Sequence, residues 1–483
     1  MKYGKLISAM MLLVALAIAF SLSAQDNQGR NKNPQHHHYK LIDIGTFGGP
    51  ESNINGAMSL GAPNQINRHG TTVGTSATSI PSPPHSNLGF CGGIDGMVHF
   101  VFHAFQWQSG KVTDLGALPG HHNCSVATSI NATGEVGGNS EISVVDPILN
   151  VREIRAVRWK NGKIKNLGTF GGKFSVMTAI NDPGQVAGSA LNATPDPYSF
   201  LYFVLAGSTQ GTQTRAFLWQ NGHNKDLDTL GGPDAETYGL NNLGEVSGIS
   251  YINSTPNSTT GLPTADPFFW DPKTGKMTDM GTLGGVWGSA SVLNNKGQVI
   301  GYSSLASDPG ACLNIGNLAS CHVFLWDAAK HNGLRDLTAE TGAVFVGANA
   351  INDSEEIVGV GNFSGTRDAA LWSNGKVKDL GHLAGDCSSE ALAINSRSQV
   401  IGRSVACNGD LHPFLWENGS MVDLNTLIPP NSSLLLVETA GINDHGEIAG
   451  DGTPPGCGPD DLCGHAYVLI PVADDDFGGD LRR

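Results

Sequence analysis

The sequence predicts an all-β fold: a β-propeller of eight four-stranded blades, with seven blades or two half-rings as the alternatives. Three observations predict it. An apolar stretch ending in tryptophan recurs at Trp107, Trp159, Trp219, Trp270, Trp326, Trp372 and Trp416, and a tryptophan-less echo, HAYVL, ends at Leu469. Each copy is followed by the same ordered set of turns and short apolar pieces. The chain also begins and ends inside a unit, so its two ends are expected to complete one blade together.

The elements follow in order. Strand A is the tryptophan stretch, as in HAFQW (His103–Trp107) or RAFLW (Arg215–Trp219). Asn-Gly turns at Asn161, Asn221 and Asn374 close it against strand B, because both residues tolerate the positive φ of a two-residue hairpin. Strand B, such as KIKNLG, runs into a glycine corner, TFGG at Thr169–Gly172 or TLGG at Thr282–Gly285. Strand C ends in Ile/Leu-Asn, at Asn131, Asn181, Asn241 and Asn395. A turn containing glycine then leads to strand D, the QVAG or EVSG piece, whose alternation suits one packed face.

Four short strands cannot cover their own apolar face, and repetition lets neighbours cover one another. The first strand, YKLIDIG from Tyr39, is a B strand with no A strand before it; HAYVL is an A strand with no B strand after it. Pairing the two closes a ring and removes both exposed edges. The expectation is that HAYVL is lent to the first blade.

Phrases such as HAFQW, DLGALPG (Asp114–Gly120) and INATGEVGG (Ile130–Gly138) resemble the HAF family of bacterial extracellular repeats, from about Tyr39 to Leu469. The resemblance implies an exported repeat protein and carries no established activity with it. Two copies depart from the pattern: DLTAETGA (Asp336–Ala343) and DLNTLIPP (Asp423–Pro430) lose the double glycine, and the turn after Asn352 lacks glycine.

The amino terminus has the layout of a cleavable secretory signal: Lys2 and Lys5, an apolar run from Leu6 to Phe20, then small residues to Ala24. The run is too short to span a bilayer. Gln25 stands where a lipid anchor would need cysteine. The expected division is a signal over 1–24, a disordered polar linker over 25–38, the propeller over 39–471 and an acidic tail over 472–483. The net charge of −15 repels phosphate backbones, so no nucleic-acid partner is expected, and no membrane insertion. A monomer is expected. The tract His36, His37 and His38 is read as solvated tail, and no metal or cofactor is expected.

Eight cysteines suit an oxidising compartment. In a propeller the B–C corners and D–A crossings share one end, and the A–B and C–D hairpins share the other. Cys91, Cys312, Cys321, Cys407, Cys457 and Cys463 fall in crossings, and Cys124 and Cys387 in corners, so all eight fall on one face. The blade frame favours Cys312–Cys321, Cys457–Cys463, Cys91–Cys124 and Cys387–Cys407, although spacing alone leaves the connectivity open.

The long D–A crossings decorate that same face, which is where binding residues are expected. Its corners hold His121, His122, Phe174, Asp234, Glu236, Trp287 and Phe345, the candidate ligand-binding set. The crossings add Phe90 and the aromatics of Tyr198–Phe203. Aromatic platforms with scattered carboxylates suit sugars or protein surfaces, although the same aromatics could instead pack the loops down. The recurrent His103, His322, His412 and His465 read as structural, each bonding to a neighbouring blade.

No G-x-S-x-G elbow, H-E-x-x-H helix, aspartate-rich calcium loop or dinucleotide motif occurs, and no catalytic residue is assigned. The favoured expectation is a binding or scaffold module, without chemistry, for an extracellular polysaccharide or protein. The alternative is a secreted carbohydrate-active hydrolase or lyase, which needs carboxylates such as Asp234, Glu236 or Glu51 to converge.

Overall fold

A computed structural model of the chain describes residues 36–54, 64–86, 100–206, 210–313, 320–330, 332–458 and 463–473. Eight sets of four strands are hydrogen-bonded in the order C–D–A–B. Blade 1 runs Gly48–Asn53, Thr72–Pro81, Phe100–Gln108 and Lys111–Asp114; blade 4 runs Ala235–Leu240, Val246–Pro256, Pro263–Asp271 and Lys276–Asp279. The fold therefore cuts the repeated phrase at the glycine corner. Strand C is the inner edge, where neighbouring blades meet, and strand B is the exposed outer edge.

This frame corrects which end is lent. The amino-terminal B strand, His38–Asp43, joins the last blade, pairing antiparallel with His465–Val472; Tyr39 faces Pro471 and Asp43 faces Tyr467. The sheet thus starts at the last residue assigned to the linker. His36 is also engaged, its Nε2 lying 2.8 Å from the Ser420 hydroxyl. Residues 1–24, most of the linker, and the tail from 474 lie outside the described residues.

The glycine corner has a specific build. Thr169 donates from its hydroxyl to the Gly172 carbonyl at 2.8 Å and accepts from the Gly171 amide. Gly171 has φ +101°, and a Cβ on Gly172 would meet the Asn192 carbonyl oxygen at 2.5 Å. Thr46, Thr229 and Thr282 make the same bonds at their own corners.

The terminal asparagine of strand C does more than permit a turn. The Asn241 side-chain oxygen accepts from the Leu243 and Glu245 amides, capping its own turn. Its amide donates at 3.0 Å to the Asn294 carbonyl of the next blade. The same bond runs from Asn67 to Asn131, on to Asn181, to Asn241, and from Asn294 to Asn352, Asn395 and Asn443. Asn443 then donates to the Asn67 carbonyl, returning the series to its start.

The recurrent histidines correct an expectation. His103, His322 and His465 bond to Asp114, Asp336 and Asp43 at the end of strand B in their own blade, with Nδ1–oxygen distances of 2.9, 2.8 and 3.0 Å. His412 bonds within its blade to Asp386 at 3.0 Å. The reason is the A–B ladder: Phe105 pairs with Asp114, which brings the diagonal His103 within reach. The residues preceding the tryptophans, not the histidines, reach the next blade.

Cys312–Cys321, Cys387–Cys407 and Cys457–Cys463 are disulfides with Cα–Cα distances of 5.0, 5.2 and 6.0 Å. They suit an oxidising extracellular or periplasmic compartment. Cys124 is disulfide-bonded; Cys91 lies outside the described residues. Among the described residues no helix is long and apolar enough to cross a membrane.

Candidate functional site

The innermost strand of blade 4, Ala235–Leu240, carries Glu236 and Tyr238, and Asp234 immediately precedes it. A bulge between Thr237 and Gly239 tightens this strand against its partner, where Glu236 pairs with Ile249. Gly248, opposite Thr237, has no room for a side chain. A Cβ there would meet the Glu236 carbonyl oxygen at 1.9 Å and the Phe268 ring at 2.7 Å.

Over this strand lies the D–A crossing of blade 3, which carries helix α1 (Phe200–Ala206). Asp234 holds the crossing down, because its carboxylate accepts from the Phe200 amide at 2.7 Å and the Thr214 amide at 2.8 Å. The Phe200 ring stacks on Tyr251 with centroids 4.2 Å apart. Both rings meet Trp287 edge-on, at 6.0 and 6.2 Å. Tyr198, Tyr238 and Trp287 pack around the buried Phe200, Ile249, Tyr251 and Ala265, so blades 3, 4 and 5 share one aromatic cap.

Beneath the cap the carboxyls are out of water. Glu236 is 1% exposed. Its Oε2 accepts a 3.2 Å hydrogen bond from the Tyr238 hydroxyl, and its Oε1 has no partner among the described residues. Burial pushes its carboxyl up to about 7, against the smaller lowering effect of Tyr238. Burial, and then the nearby Asp196 carboxylate, push Asp234 well above the usual carboxylate range. Burial raises Asp196 as well. Two buried carboxyls so placed are relieved of their repulsion when one holds a proton. Burial holds the Glu236 carboxyl toward its protonated form in the same way.

Of the predicted residues, the fold brings together Asp234, Glu236 and Trp287. Phe174 and Phe345 are fully buried in other cores and take no part in this cluster. Phe174 packs on Tyr202 of α1, and Phe345 lies in the core between blades 5 and 6. His121 and His122 sit at a different corner with ring centroids 4.0 Å apart, and their carbonyls accept from Arg152. Glu51 belongs to the inner strand of blade 1, Gly48–Asn53. Phe90 lies outside the described residues. Sequence reasoning missed Asp196, Tyr238 and Tyr251. The i, i+2 spacing of Asp234, Glu236 and Tyr238 was the available signal for Tyr238.

No protein-family model and no curated sequence matches the chain. Solved structures similar to it include the β-propeller domain of the Trilobed protease from Pyrococcus furiosus. That match has 10% identity and a TM-score of 0.40, covering 80% of this chain and 98% of that one. An oligogalacturonate lyase from Vibrio parahaemolyticus matches at 9% identity and TM-score 0.42, covering 72% and 89%. The acylaminoacyl peptidase of Pyrococcus horikoshii matches at 9% and 0.39, covering 83% of this chain, which spans only 58% of that enzyme. The likeness is of fold, and the activities named are those of the other proteins. The expectation of a binding or scaffold module without chemistry is corrected to its alternative, a hydrolase or lyase, the classes to which the named neighbours belong; for this chain that reading is a proposal.

Proposed function

We propose that this chain is an exported, HAF-type, carbohydrate-active hydrolase or lyase whose proton-transfer group is Glu236. The reading of export rests on the signal-like layout of residues 1–24, with cleavage expected near Ala24, and on the disulfides. The observation that carries the reading is a fully buried carboxyl raised to about 7, with one oxygen bonded to Tyr238 and the other unpartnered. Hydrolysis of a glycosidic bond needs an acid and a second carboxylate, and Asp196, beside Asp234, is the candidate for the second. Elimination needs a base and an acid, for which Glu236 and Tyr238 are placed. Trp287 and Tyr198, at the partly exposed rim, offer sugar rings a stacking surface. Glu236 is 1% exposed, so a substrate reaches it only when the packing around it opens.

The test is a panel of neutral and acidic polysaccharides, assayed for new reducing ends and for unsaturated products, with wild type and Glu236→Gln. Turnover by wild type that falls by about 10²-fold or more in folded Glu236→Gln supports the assignment. Turnover unchanged by the substitution, or none on any polysaccharide, overturns it.

A further inference from the structure

In six blades the residue before the tryptophan position fills the seam to the next blade with an apolar side chain. These are Leu218, Phe269, Leu325, Leu371, Leu415 and Val468, each in a core cluster that spans two blades. Blades 1 and 2 break the pattern. They carry Gln106 and Arg158 at this position, and a cavity opens beside each.

The cavity at the seam between blades 1 and 2 has a volume of about 260 Å³ and lies on the hairpin face, opposite the long crossings. Its polar lining includes Gln106, Gln108, His69, Thr71, Thr133 and Asn161. Carboxamides and hydroxyls of this kind both donate and accept, as recognition of sugar hydroxyls requires. Asn161 also lines a second cavity, on the A–B hairpin of blade 2, where Arg158, Lys160, Lys163 and Lys165 gather. Glu135 pairs with Arg158 and Lys160, leaving four cations against one carboxylate in a chain of net charge −15. Arg158 and Lys165 are braced over the Trp219 ring at 5.0 and 5.2 Å.

We propose that these two cavities, which share Asn161, form one groove that binds an acidic polysaccharide, hydroxyls at Gln106 and carboxylates at the lysines. The groove makes no use of Glu236 and stands on the opposite face. It gives an anionic polymer a positive landing place on an otherwise repelling surface.

Calorimetric titration of the full chain with polygalacturonate, and with dextran as a neutral control, tests it. The expected result is binding of polygalacturonate that weakens with added salt, and no binding of dextran. Gln106→Leu, which restores the residue four other blades carry, and Lys160→Gln/Lys163→Gln, on the exposed turn, should each weaken binding about tenfold. Glu236→Gln should bind as wild type, which separates failure of the groove from failure of the catalytic assignment. Equal binding of dextran, no binding of polygalacturonate, or wild-type affinity in both groove variants overturns the proposal.

Discussion

The side-chain amide of Asn443 donates to the carbonyl of Asn67 across 2.9 Å, although the two residues are 376 positions apart. The bond is one of the interblade series that every strand C contributes. The same asparagine accepts from the His445 and Glu447 amides, so it both shapes its own turn and grips the next blade.

Replacing such an asparagine leaves buried backbone groups without partners. Asn443→Ala and Asn241→Ala should each lower stability by about 1–3 kcal/mol in urea unfolding, by similar amounts because the positions are equivalent. A loss confined to Asn241→Ala would show that the last blade does not grip the first.

Gly248 sets the height of the Glu236 strand. A Cβ there would meet the Glu236 carbonyl oxygen at 1.9 Å, so Gly248→Ala must push backbone apart. A loss of about 1–3 kcal/mol is expected in thermal unfolding, as overpacking of a filled core costs.

The raised Glu236 carboxyl has a definite sign in stability against pH. Its folded value, about 7, lies above the ordinary value of 4.5, so the folded state holds the proton more tightly. The resulting stability is fully present below pH 4.5 and is lost as pH rises through 7. The window corresponds to about 3 kcal/mol. Glu236→Gln should flatten the decline, and denaturant titrations of both proteins across that range check it. An unchanged slope would mean that Glu236 does not titrate there.

Cys387–Cys407 ties strand C of blade 7 to the adjacent crossing, closing a loop with a sequence separation of 20. Cys387→Ser/Cys407→Ser should cost about 2–4 kcal/mol by releasing the unfolded chain, seen as a lower melting temperature.

The propeller was legible because its units are spelled alike, so Trp, Asn and the double glycine mark strand ends in register. The cystines Cys312–Cys321, Cys387–Cys407 and Cys457–Cys463 followed from that frame. Where a unit begins was not legible: the phrase is cyclic, and only hydrogen bonding shows that the break falls at the corner. The histidine partners were misplaced because a diagonal such as His103–Asp114 depends on ladder register. Asp234, Glu236 and Trp287 could be named as residents of one face, but Asp196 and Tyr251 could not. Their approach to Asp234 depends on how the blade 3 crossing folds over blade 4. Phe174 and Phe345 were placed in corners with packing and binding both open, and the structure buries both in cores.

The most direct measurement is the titration of the Glu236 carboxyl itself, by carbon NMR of protein labelled in glutamate, with Glu236→Gln to assign the signal. A midpoint at about 7 is predicted. A midpoint near ~4.3, the value of a solvated glutamate, would contradict the assignment of Glu236 as the group that moves protons.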